Sequence, residues 1–172
     1  AGTYGFDPHK VATWGSSAGA HLVDLLATIR PEDTLGRTPE VAAAPDTTPA
    51  ATVSLCGVHT CFRYTNEANI HKMLLEFLGT SEDENPDFVR SASPMERLTG
   101  QEAPFLFITG DADTTTPLSH TEEMHQRLQA KGVSSTVHVL PGVGHGFGYG
   151  NTTPAQLKTL ALATPWLAAV LR

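Results

Sequence analysis

Val11-Ala-Thr-Trp-Gly15-Ser16-Ser17-Ala18-Gly19-Ala-His-Leu22 changes its period halfway along. The first four residues are an apolar run of strand length. From Ala18 onward, Ala18, Leu22, Leu25, Leu26 and Ile29 recur at steps of four, three, one and three, one face of a 3.6-residue helix that ends at Arg30-Pro31. This predicts a strand, a sharp turn bearing Ser17, and a helix buried along that apolar face. The turn puts the serine into a strained backbone conformation, and the flanking glycines leave space where strand and helix crowd together. A serine that only capped a helix would explain Ser17 but not glycines on both sides.

An exposed serine becomes a nucleophile only with a base, and the base needs an acid to orient it. Downstream, Ala103-Pro-Phe-Leu-Phe-Ile-Thr-Gly110 reads as a buried strand opening into Asp111-Ala-Asp113-Thr-Thr-Thr-Pro117. Carboxylates just beyond the carboxyl end of a buried strand lie where open α/β sheets place functional groups. A helix is expected over 118–131. Ser135 to Leu140 alternates as a strand does, and beyond it His145 sits among five glycines, Gly142 to Gly150. Alone, that loop could be a mobile surface turn. Serine, acid and histidine in that order, each just after an expected strand, form a more specific pattern.

These three segments resemble motifs of the α/β-hydrolases, in the hormone-sensitive-lipase-like and acetyl-esterase branch. Tyr4 to Leu22 is similar to its nucleophile elbow, Gly110-Asp-Ala-Asp-Thr-Thr-Thr-Pro117 to its G-x-x-D-x-x-V-P acid loop, and Gly144-His-Gly-Phe147 to its histidine loop. Asn85 to Pro94 resembles the segment before the acid-bearing strand. The resemblance implies Ser17 as nucleophile, His145 as base, Asp113 rather than Asp111 as acid, and the Ala18 backbone N–H as an oxyanion donor. It implies a mainly parallel sheet with helices on both faces, with strands near 11–15, 51–58, 103–110 and 135–141 in one domain over 1–172. The expected substrate is a small acyl ester, with acetylated sugars and arylformamides as branches left open. An amidase or peptidase on the same residues, and a catalytically weakened relic serving binding or assembly, are the rival readings.

The family pattern places further strands and a His-Gly-Gly segment before the elbow, and no such tripeptide occurs here. The N-terminal strands of the fold are therefore expected to be missing. The strand at 11–15 would then be an apolar edge, which points to a homo-oligomer or a complementing N-terminal chain.

A length of 172 residues, 40% hydrophobic and 17% charged, suits a globular unit with a core. A net charge of −7 disfavours nucleic acid and anionic membrane surfaces as partners. Thr159, Thr164 and Pro165 interrupt the longest apolar segment, so no membrane span is expected. Cys56 and Cys61 are too few for a disulfide framework; Cys56 reads as core and a bridge between them is left open. No cofactor is expected. Nor is a metal site, since H-E-x-x-H and C-x-x-C are absent and His120 and His125 miss the helical i, i+4 spacing. His21, His71 and His138 are expected to be structural and His9 exposed. The compartment stays undetermined. Residues 31–49 read as a surface loop, 59–100 as a long excursion with a helix over 67–78 whose apolar residues pack on the sheet, line the pocket or do both, and 154–171 as a closing helix.

Overall fold

The computed structural model describes residues 3–30, 33, 39, 48–62, 68–148 and 152–172. The expected loop over 31–49 lies outside them except at 33, 39, 48 and 49, as do Glu67, Tyr149 and Gly150. Four strands, β1 (Ala12–Ser16), β2 (Ala51–Leu55), β3 (Phe105–Gly110) and β4 (Ser135–Leu140), form one parallel sheet in the order β1-β2-β3-β4. Trp14 lies opposite Val53, Val53 opposite Leu106, and Leu106 opposite Thr136. The second strand is shorter than expected. It stops at Leu55 because Cys56, at φ 40, turns the chain out of the extended region.

Among the described residues the helices are α1 (Ala18–Thr28), α2 (Ala68–Leu78), α3 (Pro86–Ser91), α4 (Leu118–Ala130) and α5 (Pro154–Val170), with 3₁₀ turns at Pro94–Arg97 and His145–Gly148. All six residues of β3 are buried, as a central parallel strand requires. Phe105 and Phe107 pack with Ala27, Met124 and Leu128 on the side of α1 and α4, while Leu106 and Ile108 pack with Ala163 and Phe147 on the side of α5. Helices therefore cover both faces. α5 begins with Thr153 capping the Gln156 N–H and includes Pro165. None of the described helices is long and apolar enough to cross a membrane.

The apolar face assigned to α1 is not the buried one. Leu22 is 59% exposed, whereas Ala20, His21, Asp24, Ala27 and Thr28 are buried. Small alanines let the helix approach the sheet closely, and Asp24 is drawn inward by partners. Its Oδ2 accepts from the Ser54 hydroxyl at 2.9 Å and lies 2.8 Å from His59 Nδ1, while His59 Nε2 lies 3.1 Å from Thr121 Oγ1. Ser54, Asp24, His59 and Thr121 thus tie β2, α1 and α4 together through fully or nearly fully buried groups. Likewise, α2 does not lie on the sheet. Leu74 and Leu78 pack on a separate cluster of Cys61, Phe62, Val89 and Ala92. His71 is exposed rather than structural.

Candidate active site

Parallel strands end at a common edge, and there the structure gathers the residues singled out above. Ser17 follows β1 at φ 54 and ψ −118, a conformation costly for a side-chain-bearing residue. Its N–H donates to Leu55 O at 2.9 Å and its carbonyl accepts from the His21 N–H at 3.0 Å, so strand and helix hold the turn from both sides. A Cβ on Gly15 would lie 2.1 Å from Gly19 O, which makes glycine obligatory there. Gly19 differs: its Cβ position is open space, so the crowding at the turn is one-sided.

The acid loop and the histidine loop cross at Gly110, where a Cβ would stand 1.8 Å from Val143 O. Asp111 Oδ1 accepts from the Gly142 N–H at 2.6 Å and stitches the loops together at the surface. Asp113 points inward and is buried. Its Oδ1 accepts from the Thr115 and Thr116 N–H groups, both at 2.8 Å, and its Oδ2 from Thr116 Oγ1 at 2.9 Å and from His145 Nδ1 at 2.8 Å. An ionised carboxylate only accepts, so the imidazole proton sits on Nδ1 and leaves Nε2 to accept from the Ser17 hydroxyl at 2.7 Å. Ser17, His145 and Asp113 thus form a continuous hydrogen-bonded line. Ala18 follows Ser17 as the first residue of α1, where helical N–H groups have no intrahelical partner.

Three neighbours were not singled out from sequence. Thr116, 1% exposed, brings its hydroxyl within 3.2 Å of His145 Nδ1 as well as 3.1 Å of Cys56 O. It occupies the valine position of the G-x-x-D-x-x-V-P pattern, and that departure was the available signal. Phe147, at φ 54 and 1% exposed, seats the histidine loop in the α5-side core, while Thr153 Oγ1 donates to its carbonyl at 2.7 Å. Cys56 is buried as expected, but at the site: Sγ, an Asp113 carboxylate oxygen and a His145 ring nitrogen all lie within 4.8 Å of one another. Cys56 and Cys61 are both free thiols. Burial pushes the Cys56 thiol upward, against the Ser16 hydroxyl and the Gly146 and Ser17 backbone, which act the other way. Burial likewise pushes Cys61 up to about 11.

A cavity of about 240 Å³ opens beside Ser17, walled mainly by Leu22, Val58, Ile70, Met73, Leu74 and Phe77. The apolar residues of α2 thus serve the cavity as well as their own small cluster. Leu22, on the uncovered face of α1, lines it from the other side. Such a wall takes an apolar group and leaves the polar chemistry to the serine end.

The BD-FAE family model matches residues 1–128, a span that includes Ser17 and Asp113. Esterase LipQ of Mycobacterium tuberculosis is 28% identical over 166 residues, covering 93% of this chain and 38% of the relative. Esterase LipC of the same organism is 32% identical over 153 residues, covering 84% of this chain and 36% of the relative. The chain therefore spans less than two fifths of the length of either relative. Among solved structures, the propionate-bound thermophilic esterase Est2 of Thermogutta terrifontis superposes with a TM-score of 0.73 at 24% identity, covering 96% of this chain and 58% of that one. The chain belongs to the BD-FAE family, and its fold is that of the hormone-sensitive-lipase-like α/β-hydrolases its motifs resemble.

Proposed function

We propose that this chain is a serine carboxylesterase domain over 1–172, hydrolysing small acyl esters through an acyl-enzyme. The observation that carries the proposal is the unbroken line from Ser17 Oγ through His145 to Asp113 at one sheet edge. Ser17 attacks the acyl carbon while His145 Nε2 takes its proton, and Asp113 holds the imidazole and stabilises it once charged. The Ala18 N–H donates to the developing oxyanion. His145 returns the proton to the leaving alcohol, and a water activated by the same nitrogen releases the acid. The apolar cavity seats the hydrocarbon part of the ester, in keeping with the propionate held by the Thermogutta esterase.

A fluorophosphonate probe should label Ser17 and leave Ser16 unmodified, and the protein should release p-nitrophenol from its acetate ester in a burst. Ser17→Ala should lower turnover by about 10⁴-fold or more. A variant that is still labelled, or that turns over as fast as the parent, would refute the mechanism. Profiling against matched amides separates an esterase from an amidase on the same residues.

Association is the second part of the proposal. Among the described strands β1 is outermost, and Trp14 on it and Val11 just before it are 40% and 47% exposed. Such an edge accepts a further strand. We propose that a second copy or a complementing chain lies along it. Sedimentation equilibrium with activity across a dilution series decides this. A monomer at every concentration with undiminished turnover would exclude it.

A further inference from the structure

We propose that Cys56, His145 and Asp113 form a binding site for a soft divalent cation such as zinc or cadmium, and that an ion bound there holds the serine's base idle. Thiolate, imidazole and carboxylate are the donor set that zinc favours, and cadmium takes the same set with more weight on sulfur. Around a tetrahedral ion with bonds of about 2.0–2.3 Å the ligand atoms stand roughly 3.3–3.8 Å apart, so donors within 4.8 Å of one another, with Asp113 Oδ2 and His145 Nδ1 at 2.8 Å, need to shift by only about an ångström.

The cysteine is held in place for this. Its N–H donates to Ile108 O at 3.0 Å and its carbonyl lies 3.1 Å from Thr116 Oγ1, while φ 40 turns the residue out of the strand beneath the histidine loop. Nothing in the proposed ester chemistry uses its sulfur, which lies 3.6 Å from Ser16 Oγ. Binding releases the thiol proton and forms a metal–sulfur bond. The ring proton moves from Nδ1 to Nε2, so that the Nδ1 lone pair and an Asp113 oxygen hold the ion, water takes the fourth position, and Nε2 no longer accepts from the Ser17 hydroxyl.

The ion site goes beyond the esterase proposal, whereas the loss of activity rests on it, so the two are read separately. Cadmium added to the intact chain, and to the Ser17→Ala variant, should produce the ultraviolet charge-transfer band of a metal thiolate, absent in Cys56→Ser. Where the parent hydrolyses p-nitrophenyl acetate, zinc should inhibit it reversibly, a chelator should restore it, and magnesium or calcium should have no effect. Cys56→Ser should keep the basal rate and need about 10- to 100-fold more zinc for half-inhibition. No thiolate band at saturating cadmium, or an equal band in Cys56→Ser, overturns the site whatever the activity. Equal zinc sensitivity in parent and Cys56→Ser overturns it too, since the ion would then bind without the thiol.

Discussion

Replacing Asp113 by asparagine tests the hydrogen-bonded line at the point where the structure constrains it most. The Oδ1 position faces two backbone donors, the Thr115 and Thr116 N–H groups, each at 2.8 Å. An amide NH₂ cannot stand there. The asparagine carbonyl must take that place, which puts the NH₂ where Oδ2 now meets His145 Nδ1 at 2.8 Å. Nδ1 then accepts instead of donating, the ring proton moves to Nε2, and Ser17 loses its base. The fold should persist, because the isosteric side chain keeps both backbone bonds, yet kcat/KM should fall by about 10⁴, or about 5 kcal/mol of transition-state stabilisation. Asp111→Asn is the matched control. Its exposed side chain keeps a carbonyl for the Gly142 N–H, and weakening one charge-assisted bond by about 1 kcal/mol should change kcat/KM by no more than about fivefold. Both variants should be assayed with p-nitrophenyl acetate beside a thermal melt. A folded Asp113→Asn protein within tenfold of the parent, or a larger loss at Asp111, would refute the tautomer argument.

Gly15→Ala should destabilise the fold by about 3 kcal/mol or more, since its Cβ would sit 2.1 Å from Gly19 O, while Gly19→Ala, with open space, should be neutral or stabilising by up to about 1 kcal/mol; urea titrations of both give the contrast. Asp24→Ala leaves Ser54 and His59 buried without their acceptor and should cost about 3–5 kcal/mol in the same assay; a loss under about 1 kcal/mol would mean the network does not bind α1 to the sheet. Because burial raises both thiols, little thiolate exists at pH 8, so neither cysteine should react quickly with a thiol reagent until the protein unfolds; rapid native labelling of Cys56 would contradict its burial. Phe77→Ala opens the cavity wall and should lower KM for bulkier acyl groups relative to acetate, and an unchanged preference across an acyl series would place the acyl group elsewhere.

The strands, the sharp turns and their order were legible in the sequence because they are set by neighbours close along the chain. A serine between strand and helix needs Gly15 beside it for steric reasons that five residues already contain, and an apolar run such as Phe105 to Ile108 has few ways to exist outside a buried strand. Periodicity could not say which neighbour would cover which face. Leu22 and Leu25 make α1 look greasy on one side, yet the sheet takes the side with Ala20 and Asp24, because Ser54 and His59, 30 and 35 residues away, satisfy the carboxylate there. The same limit hid Thr116 beside His145 and Cys56 beneath the histidine loop, and it left open whether the apolar residues of α2 meet the sheet or the cavity. Ser17 and His145 lie 128 residues apart and meet at 2.7 Å. Each of those relations is set by packing between distant segments, and only the folded sheet, with its strand ends brought to one edge, decides it.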